Sequence, residues 1–209
     1  SNIRHNRKEE FIKAIESEMN DLGMSSTKFD VEIMSDEDEE GILIVDGINL
    51  KANAYGIDNI EFIIAPNKQS IFQPLRKIAS GGEISRIMLS LKNVLSLGDY
   101  CETMVFDEID VGVGGRIAEV IGEKIAALSK RKQILSVTHL AQIAIYANTH
   151  FKVIKNEGED NVTSTIEELN ENTRVNEIAR MIAGKEITEA SIKHAAELLE
   201  GARKSNIFI

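Results

Sequence analysis

Apolar positions follow a helical rhythm at both ends of the first hundred residues and a strand-like rhythm between them. From residue 3 to about 22 a narrow stripe of Phe11, Ile15, Met19 and Leu22 runs along an otherwise charged segment that Gly23 stops. Its first turns carry mostly polar groups and are expected to pack poorly. The stump of a coiled-coil arm and an ordinary surface helix both fit that pattern. Over residues 28–72 the alternation becomes β-like, with Phe29, Val31 and Ile33 set against Asp30, Glu32 and Met34, and further strands at 42–45 and 60–65. Asp46-Gly47 and Tyr55-Gly56 supply turns, and Pro66 and Pro74 bracket a loop. The stretch 79–97, ASGGEISRIMLSLKNVLSL, returns to the helical period: Ile84, Ile87, Met88, Leu91, Val94 and Leu95 share one face.

Beyond it the rhythm alternates. A short apolar strand at 103–106 precedes a helix at 115–128 with Ile117, Val120, Ile121, Ile125 and Leu128 on one face. A second strand at 133–137, a helix near 140–146 and a hairpin of 151–155 and 162–168 around 156–161 follow. Two helices at 174–183 and 188–202 close the chain; Gly184 and Gly201 are expected to stop them, and Ile192, Ala195, Ala196 and Leu199 to form the inner face of the last. Strand–helix–strand alternation implies a parallel sheet covered by helices, so an α/β fold with a β-rich N-terminal portion is expected. The expected division is a helical piece at 1–25 and one lobe at 26–209. There is no internal repeat and no low-complexity tract.

Composition narrows the classes without choosing among them. Of the 209 residues 43% are hydrophobic and 28% charged, ordinary for a globular protein. No apolar run is long enough to span a membrane, the start shows no signal-peptide pattern, and a single cysteine, Cys101, excludes an internal disulfide; cytoplasm is the default. With 24 basic and 34 acidic side chains the formal net charge is −10, which disfavours a broad nucleic-acid-binding surface. The most basic point, Lys130-Arg131-Lys132, closes a predicted helix, where cations complement the dipole. The acidic run 36–40 reads as a solvated loop or hairpin. Ser1 and Asn2 carry no assigned function, and His5, His150 and His194 are expected on the surface or in packing.

Four local features bear on chemistry. Ser80 followed three residues later by Glu83 is a capping box, but that leaves Gly81 and Gly82 unexplained. A glycine pair at a helix entrance lets a ligand approach the main chain, and free N–H groups at the positive end of the macrodipole favour an anion. In TMVFDEID, residues 103–110, Asp107 and Glu108 end an apolar strand and reach the edge where ligands bind in open α/β sheets. One carboxylate can hold Mg²⁺ and its neighbour can orient or deprotonate a water; acidic turn formers at a strand end are the simpler alternative. VGVGG at 111–115 is a glycine-rich turn, by itself no more than flexible. ILSVTHL places His139 just past a strand expected beside that of Asp107, a position for sensing a phosphate or for a plain structural hydrogen bond.

In this order the four features resemble the C-terminal half of an ABC-type ATPase head, reading as signature motif, Walker B, D-loop and switch histidine. LRKIASGGEISRIMLSLKNVL, VFDEIDVGVGGRIAEVIGEKI and SVTHLAQIA look like the RecN family of DNA repair proteins, SMC-like members of that superfamily. The resemblance covers about residues 60–200, and Ile109 stands where transporter heads typically have proline. It implies the C-terminal lobe of an ABC/SMC-type head with a P-loop NTPase-like parallel sheet, and the use of ATP and Mg²⁺. Ser80, Gly81 and Gly82, with Glu83, would contact ATP held by a partner head. Asp107 would hold Mg²⁺, Glu108 would activate the hydrolytic water, and His139 would contact the γ-phosphate of its own head. Asp110, Gly112 and Gly114 would lie at the head–head interface, although Gly114 stands where the superfamily usually has aspartate.

No GxxxxGK[ST] loop occurs in the chain; the only Gly-Lys pair, Gly184-Lys185, leads to Glu186. In the resembled family that loop lies in an N-terminal lobe across a coiled-coil arm, so the expected partners are that lobe, a second head closing an ATP sandwich, and DNA in the intact protein, with no membrane. The implied role is ATP-gated recombinational repair of double-strand breaks, with little turnover by these 209 residues alone. A head fragment of another SMC-family, chromosome-organising ATPase and a non-catalytic assembly module are the competing expectations.

Overall fold

The computed structural model describes residues 1–204 apart from 42, 68, 97, 99, 158–161 and 185. It forms two compact units that meet in sequence at 99/100. Parts of several expectations lie outside the described residues: Ile42 of the second strand, Leu97 at the end of the central stretch, the tip of the 156–161 turn, and Lys185 of the Gly-Lys pair.

In the first unit, helix α1 (Asn2–Asp21) leads to strands β1 (Lys28–Ser35), β2 (Leu43–Val45), β3 (Ile48–Leu50), β4 (Asp58–Ala65) and β5 (Gln73–Pro74), a 3-10 turn (Leu75–Lys77) and helix α2 (Gly81–Leu95). β1, β4 and β5 make an antiparallel sheet in that order, Phe29 facing Ile64 and Val31 facing Phe62, while β2 and β3 form a separate hairpin. Asp46 (φ 48°) and Gly47 (φ 82°) both adopt the left-handed region that a two-residue hairpin turn requires. The apolar stripes of α1 and α2 close over the sheet, burying Ile15, Met19, Phe29, Val31, Ile64, Ile87 and Leu91 in one cluster. Phe11, Phe29 and Phe62 stack within it at centroid distances of 5.5–6.1 Å. The first turn of α1 is only half as loose as its polarity suggests. Ile3 is exposed, but the Arg4 guanidinium bonds the buried Asp58 carboxylate and holds that carboxyl below its usual range.

The second unit runs β6 (Thr103–Phe106), α3 (Gly115–Ser129), β7 (Gln133–Ser136), α4 (Ala141–Ala144), β8 (Phe151–Glu157), β9 (Val162–Glu168), α5 (Glu171–Ala183) and α6 (Glu189–Lys204). β6 and β7 pair in parallel with α3 as their crossover, Met104 opposite Ile134 and Phe106 opposite Ser136. The parallel sheet is therefore a pair among the described residues, with Met104 and Phe106 turned inward and Val105, Leu135 and Val137 outward and exposed. β8 and β9 form an antiparallel hairpin. The core is alanine-rich, with Ala126, Ala141, Ala144, Ala179, Ala195 and Ala202 around Tyr146, Ile178 and Leu199, so its helices approach closely.

Three expectations of this half change. α5 starts three residues early, because the Asn170 side chain accepts from Thr173 N at 3.0 Å and caps it. Gly201 does not stop the last helix; it lies inside α6, where a Cβ would meet nothing within 4 Å. The inner face of α6 is Ala195, Leu199 and Ala202, while Ile192 and Ala196 are exposed, a rotation of about one position. Gly184 does end α5, with φ 74°.

Candidate functional site

The entrance of α2 carries the first group of candidate residues. Ser80 is extended (φ −90°, ψ 114°) and its hydroxyl accepts from Glu83 N at 3.4 Å, while Ile84 N closes on Ser80 O at 3.0 Å. Glu83 thus sits in the acidic first turn of a capped helix. Neither Gly81 nor Gly82 has a positive φ, so backbone conformation does not demand glycine at either position. Gly81 is exposed and Gly82 buried, which leaves one face of the first turn open to solvent.

The second group gathers at the C-terminal end of the parallel pair. Asp107 and Glu108 follow directly on β6, and His139 comes three residues after β7. Val137 N extends the pairing to Phe106 O at 2.9 Å, so both chains leave the sheet side by side. Asp107 and Glu108 are exposed, and Asp107 Oδ1 accepts from Glu108 N at 2.9 Å. Glu108 has φ 57°, one of two described non-glycine residues in the left-handed region. That conformation costs on the order of 1–2 kcal/mol without glycine, and here it turns the chain sharply enough to bury Ile109 and Asp110 while Glu108 stays outside.

Past Glu108, Val111 N closes on Glu108 O at 3.1 Å and Val113 N on Asp110 O at 3.3 Å. Gly112 (φ 73°) and Gly115 (φ 54°) supply the positive φ that these turns need. Gly114 is extended at φ −169°, with nothing within 4 Å of the place a Cβ would take, so aspartate would fit there sterically.

Asp110, expected at the head–head interface, is buried within its own unit. Its side chain is 5% exposed and turned inward, where Oδ2 accepts from Thr138 Oγ1 at 2.6 Å and from His139 N at 2.9 Å. The same oxygen lies 2.9 Å from His139 Nδ1, although the histidine side chain is 71% exposed. Thr138 Oγ1 accepts in turn from Leu140 N at 3.0 Å. Sequence reasoning did not single out Thr138; its place between an apolar strand and the histidine was the available signal.

A third polar cluster also escaped the sequence. Lys152 on β8 and Arg180 on α5 both bond Glu177, at 2.6 Å each. Burial pushes the Glu177 carboxyl up, but hydrogen bonds from Arg180 and Lys152 outweigh it and the net direction is down. Arg174 donates to the carbonyls of Ala144, Ile145 and Ala147, tying α5 to the end of α4. His150 beside them is held below its ordinary value by burial and by the nearby Arg174 charge. These groups join α5 to β8 and to the chain after α4.

The donor set at the sheet edge suits Mg²⁺: two exposed carboxylates offer hard oxygen ligands and leave most coordination positions for phosphate and water. Among the described residues no group of three or more His, Cys, Asp or Glu side chains could enclose an ion by itself.

Comparison with known proteins gives a consistent result. No family model matches the chain. It is 43% identical over 203 residues to the DNA repair protein RecN of Treponema pallidum, covering 96% of this chain and 34% of that protein. It is 37% identical over 204 residues to RecN of Bacillus subtilis, covering 97% and 35%, and 46% identical over 149 residues to RecN of Rickettsia bellii, covering 71% and 27%. The chain thus spans about a third of the length of the curated relatives it matches. Among solved structures it resembles the Smc head domain with a coiled coil and joint from Pyrococcus yayanosii (TM-score 0.52, 15% identity, 97% of this chain and 31% of that one). The Smc head from Pyrococcus furiosus with an extended coiled coil gives TM-score 0.51 at 16% identity, covering 97% and 40%. At that identity the likeness shows the fold alone, that of an Smc head domain.

Proposed function

Since this chain belongs to the RecN family along nearly its whole length, we propose that it supplies the signature motif, Walker B carboxylates and switch histidine of an ATP-hydrolysing head. The whole protein then acts in recombinational repair of DNA double-strand breaks. The observation that carries the reading is the parallel pairing of β6 with β7, which delivers Asp107, Glu108 and His139 to one sheet edge.

In this scheme Asp107 holds Mg²⁺ through a carboxylate oxygen, directly or through water. An ion held there would supply positive charge to the phosphate oxygens. Glu108, exposed and aimed by the left-handed turn at its own Cα, takes the proton of the attacking water. His139 reaches from the adjacent strand to the γ-phosphate. The open first turn of α2 presents Ser80 and the main chain of Gly81 and Gly82 to the nucleotide of a second head, with Glu83 holding the serine in its cap. Gly112 and Gly114 form the exposed turn that faces that second head.

The chain has no GxxxxGK[ST] loop and so no lysine for the β- and γ-phosphates. Mixed with a RecN segment that carries such a loop, it is expected to form an Mg²⁺-dependent ATPase that Glu108→Gln abolishes, while alone it turns over negligibly. Robust turnover by the isolated chain that Glu108→Gln removes, or a mixed ATPase insensitive to that substitution, overturns the assignment.

A further inference from the structure

We infer that the hollow lined by α5, α6 and the chain after α4 binds a small phosphate-bearing anion, held by the guanidinium groups of Arg174 and Arg203. The site lies wholly within the second unit and shares no residue with the proposed ATPase edge, so the two stand or fall separately.

The hollow measures about 260 Å³ and is lined by Ile145, Ala147, Asn148, Arg174 and Arg203. Arg174 is 8% exposed, and an arginine so deeply buried ordinarily has a carboxylate partner. Among the described residues Arg174 makes no ion pair, and its hydrogen bonds all run from Nη2 to the carbonyls of Ala144, Ile145 and Ala147. Nε is buried with no partner. Carbonyl dipoles satisfy donors, but they do not cancel a unit charge. Burial pushes the Arg174 guanidinium below its ordinary value and the charge of Arg203 pushes it further, against the attraction of Glu171. Two cations therefore line one hollow, with a single carboxylate to answer them. Glu171 Oε1 accepts from Arg203 Nη2 at 2.8 Å, and both side chains are more than half exposed, so that pair is weakly held. A phosphate group offers several acceptor oxygens and up to two charges, enough to bond both guanidiniums at once. The net charge of −10 favours a small anion over a nucleic-acid backbone.

Nitrogen-15 NMR of the arginine Nε–H groups, as inorganic phosphate is added to the 209-residue chain at constant ionic strength, reads this directly. Arg174 and Arg203 are expected to shift together and saturate, while chloride at the same ionic strength leaves them unmoved. Arg203→Gln changes a half-exposed side chain, so the fold is expected to persist while phosphate affinity falls roughly tenfold. Glu171→Gln removes the internal competitor and is expected to tighten phosphate several-fold. Lys204→Gln takes the same unit of charge from the neighbouring residue and is expected to leave the affinity unchanged. Adenosine monophosphate in a parallel titration distinguishes the sources: tighter binding than inorganic phosphate identifies a nucleotide, weaker binding the free ion, and either upholds the site. No saturation by both, an equal response to acetate, or equal losses in Arg203→Gln and Lys204→Gln overturns the proposal and leaves Arg174 as a staple for the end of α4.

Discussion

At Glu108 the proposed role and local stability pull in opposite directions. Its φ of 57° suits glycine, and the side chain is exposed. Glu108→Gly is therefore expected to raise the stability of its unit by about 1 kcal/mol in urea unfolding while removing the carboxylate proposed as the hydrolytic base. The conflict was invisible in the sequence, because an acidic pair at a strand end reads the same whatever its backbone. His150 gives the second residue-level prediction. Its pKa lies below the ordinary 6.5 because burial and Arg174 disfavour the charged ring, with Lys152 adding to them and Glu177 opposing. The unfolded chain then binds the proton more readily. Stability from this group is complete above pH 6.5 and falls as pH drops through 6.5 toward the folded value. A His150→Gln variant should show a flatter stability profile across that window in pH-dependent thermal melts. Residue surroundings of this kind were the least legible part of the chain: the resemblance put Asp110 at an interface by position alone, and only the fold brings Thr138 to its carboxylate.

Elements were far more readable, because the periodicity that announces them is the same periodicity that buries them. α2 and α3 appear where their apolar spacing requires, and β6 and β7 pair in parallel as the alternation implies. The misses have local causes. The Asn170 cap extended α5 backwards, and Gly201 was permitted inside α6 because nothing presses on it. Gly122 is the opposite case. A Cβ there would lie 2.4 Å from Tyr146 Cδ2 and 2.9 Å from Gln142 O, so α3 passes against the chain around α4 with no room for a methyl. The same burial pushes the Tyr146 hydroxyl up to about 12, with Glu123 and Glu119 adding to it. Gly122→Ala should destabilise by about 1–3 kcal/mol, because the ring can shift but the carbonyl cannot. Calorimetry of the variant, with Gly201→Ala as a control expected to gain slightly, separates close packing from helix propensity.

For the whole molecule, the family was legible because the segments that carry the resemblance sit where strands and helices begin or end, and those boundaries are written in apolar spacing. Ser80 offers the test that belongs to this scale. Ser80→Arg removes a cap worth about 1 kcal/mol and fills the open first turn of α2 with a long cation. Sedimentation with a non-hydrolysable ATP analogue should show nucleotide-dependent pairing of assembled heads lost, while circular dichroism stays that of a folded chain. Unchanged pairing would place the α2 entrance away from the contact between heads. The outward face of the β6–β7 pair has a practical consequence as well. Val105, Leu135 and Val137 project from two strands that are both edges among the described residues, without the cover that parallel sheets ordinarily have. Two such edges are templates for pairing with another copy, so the chain by itself is expected to self-associate in concentrated solution, and Val105→Lys to reduce the light scattering that reports it.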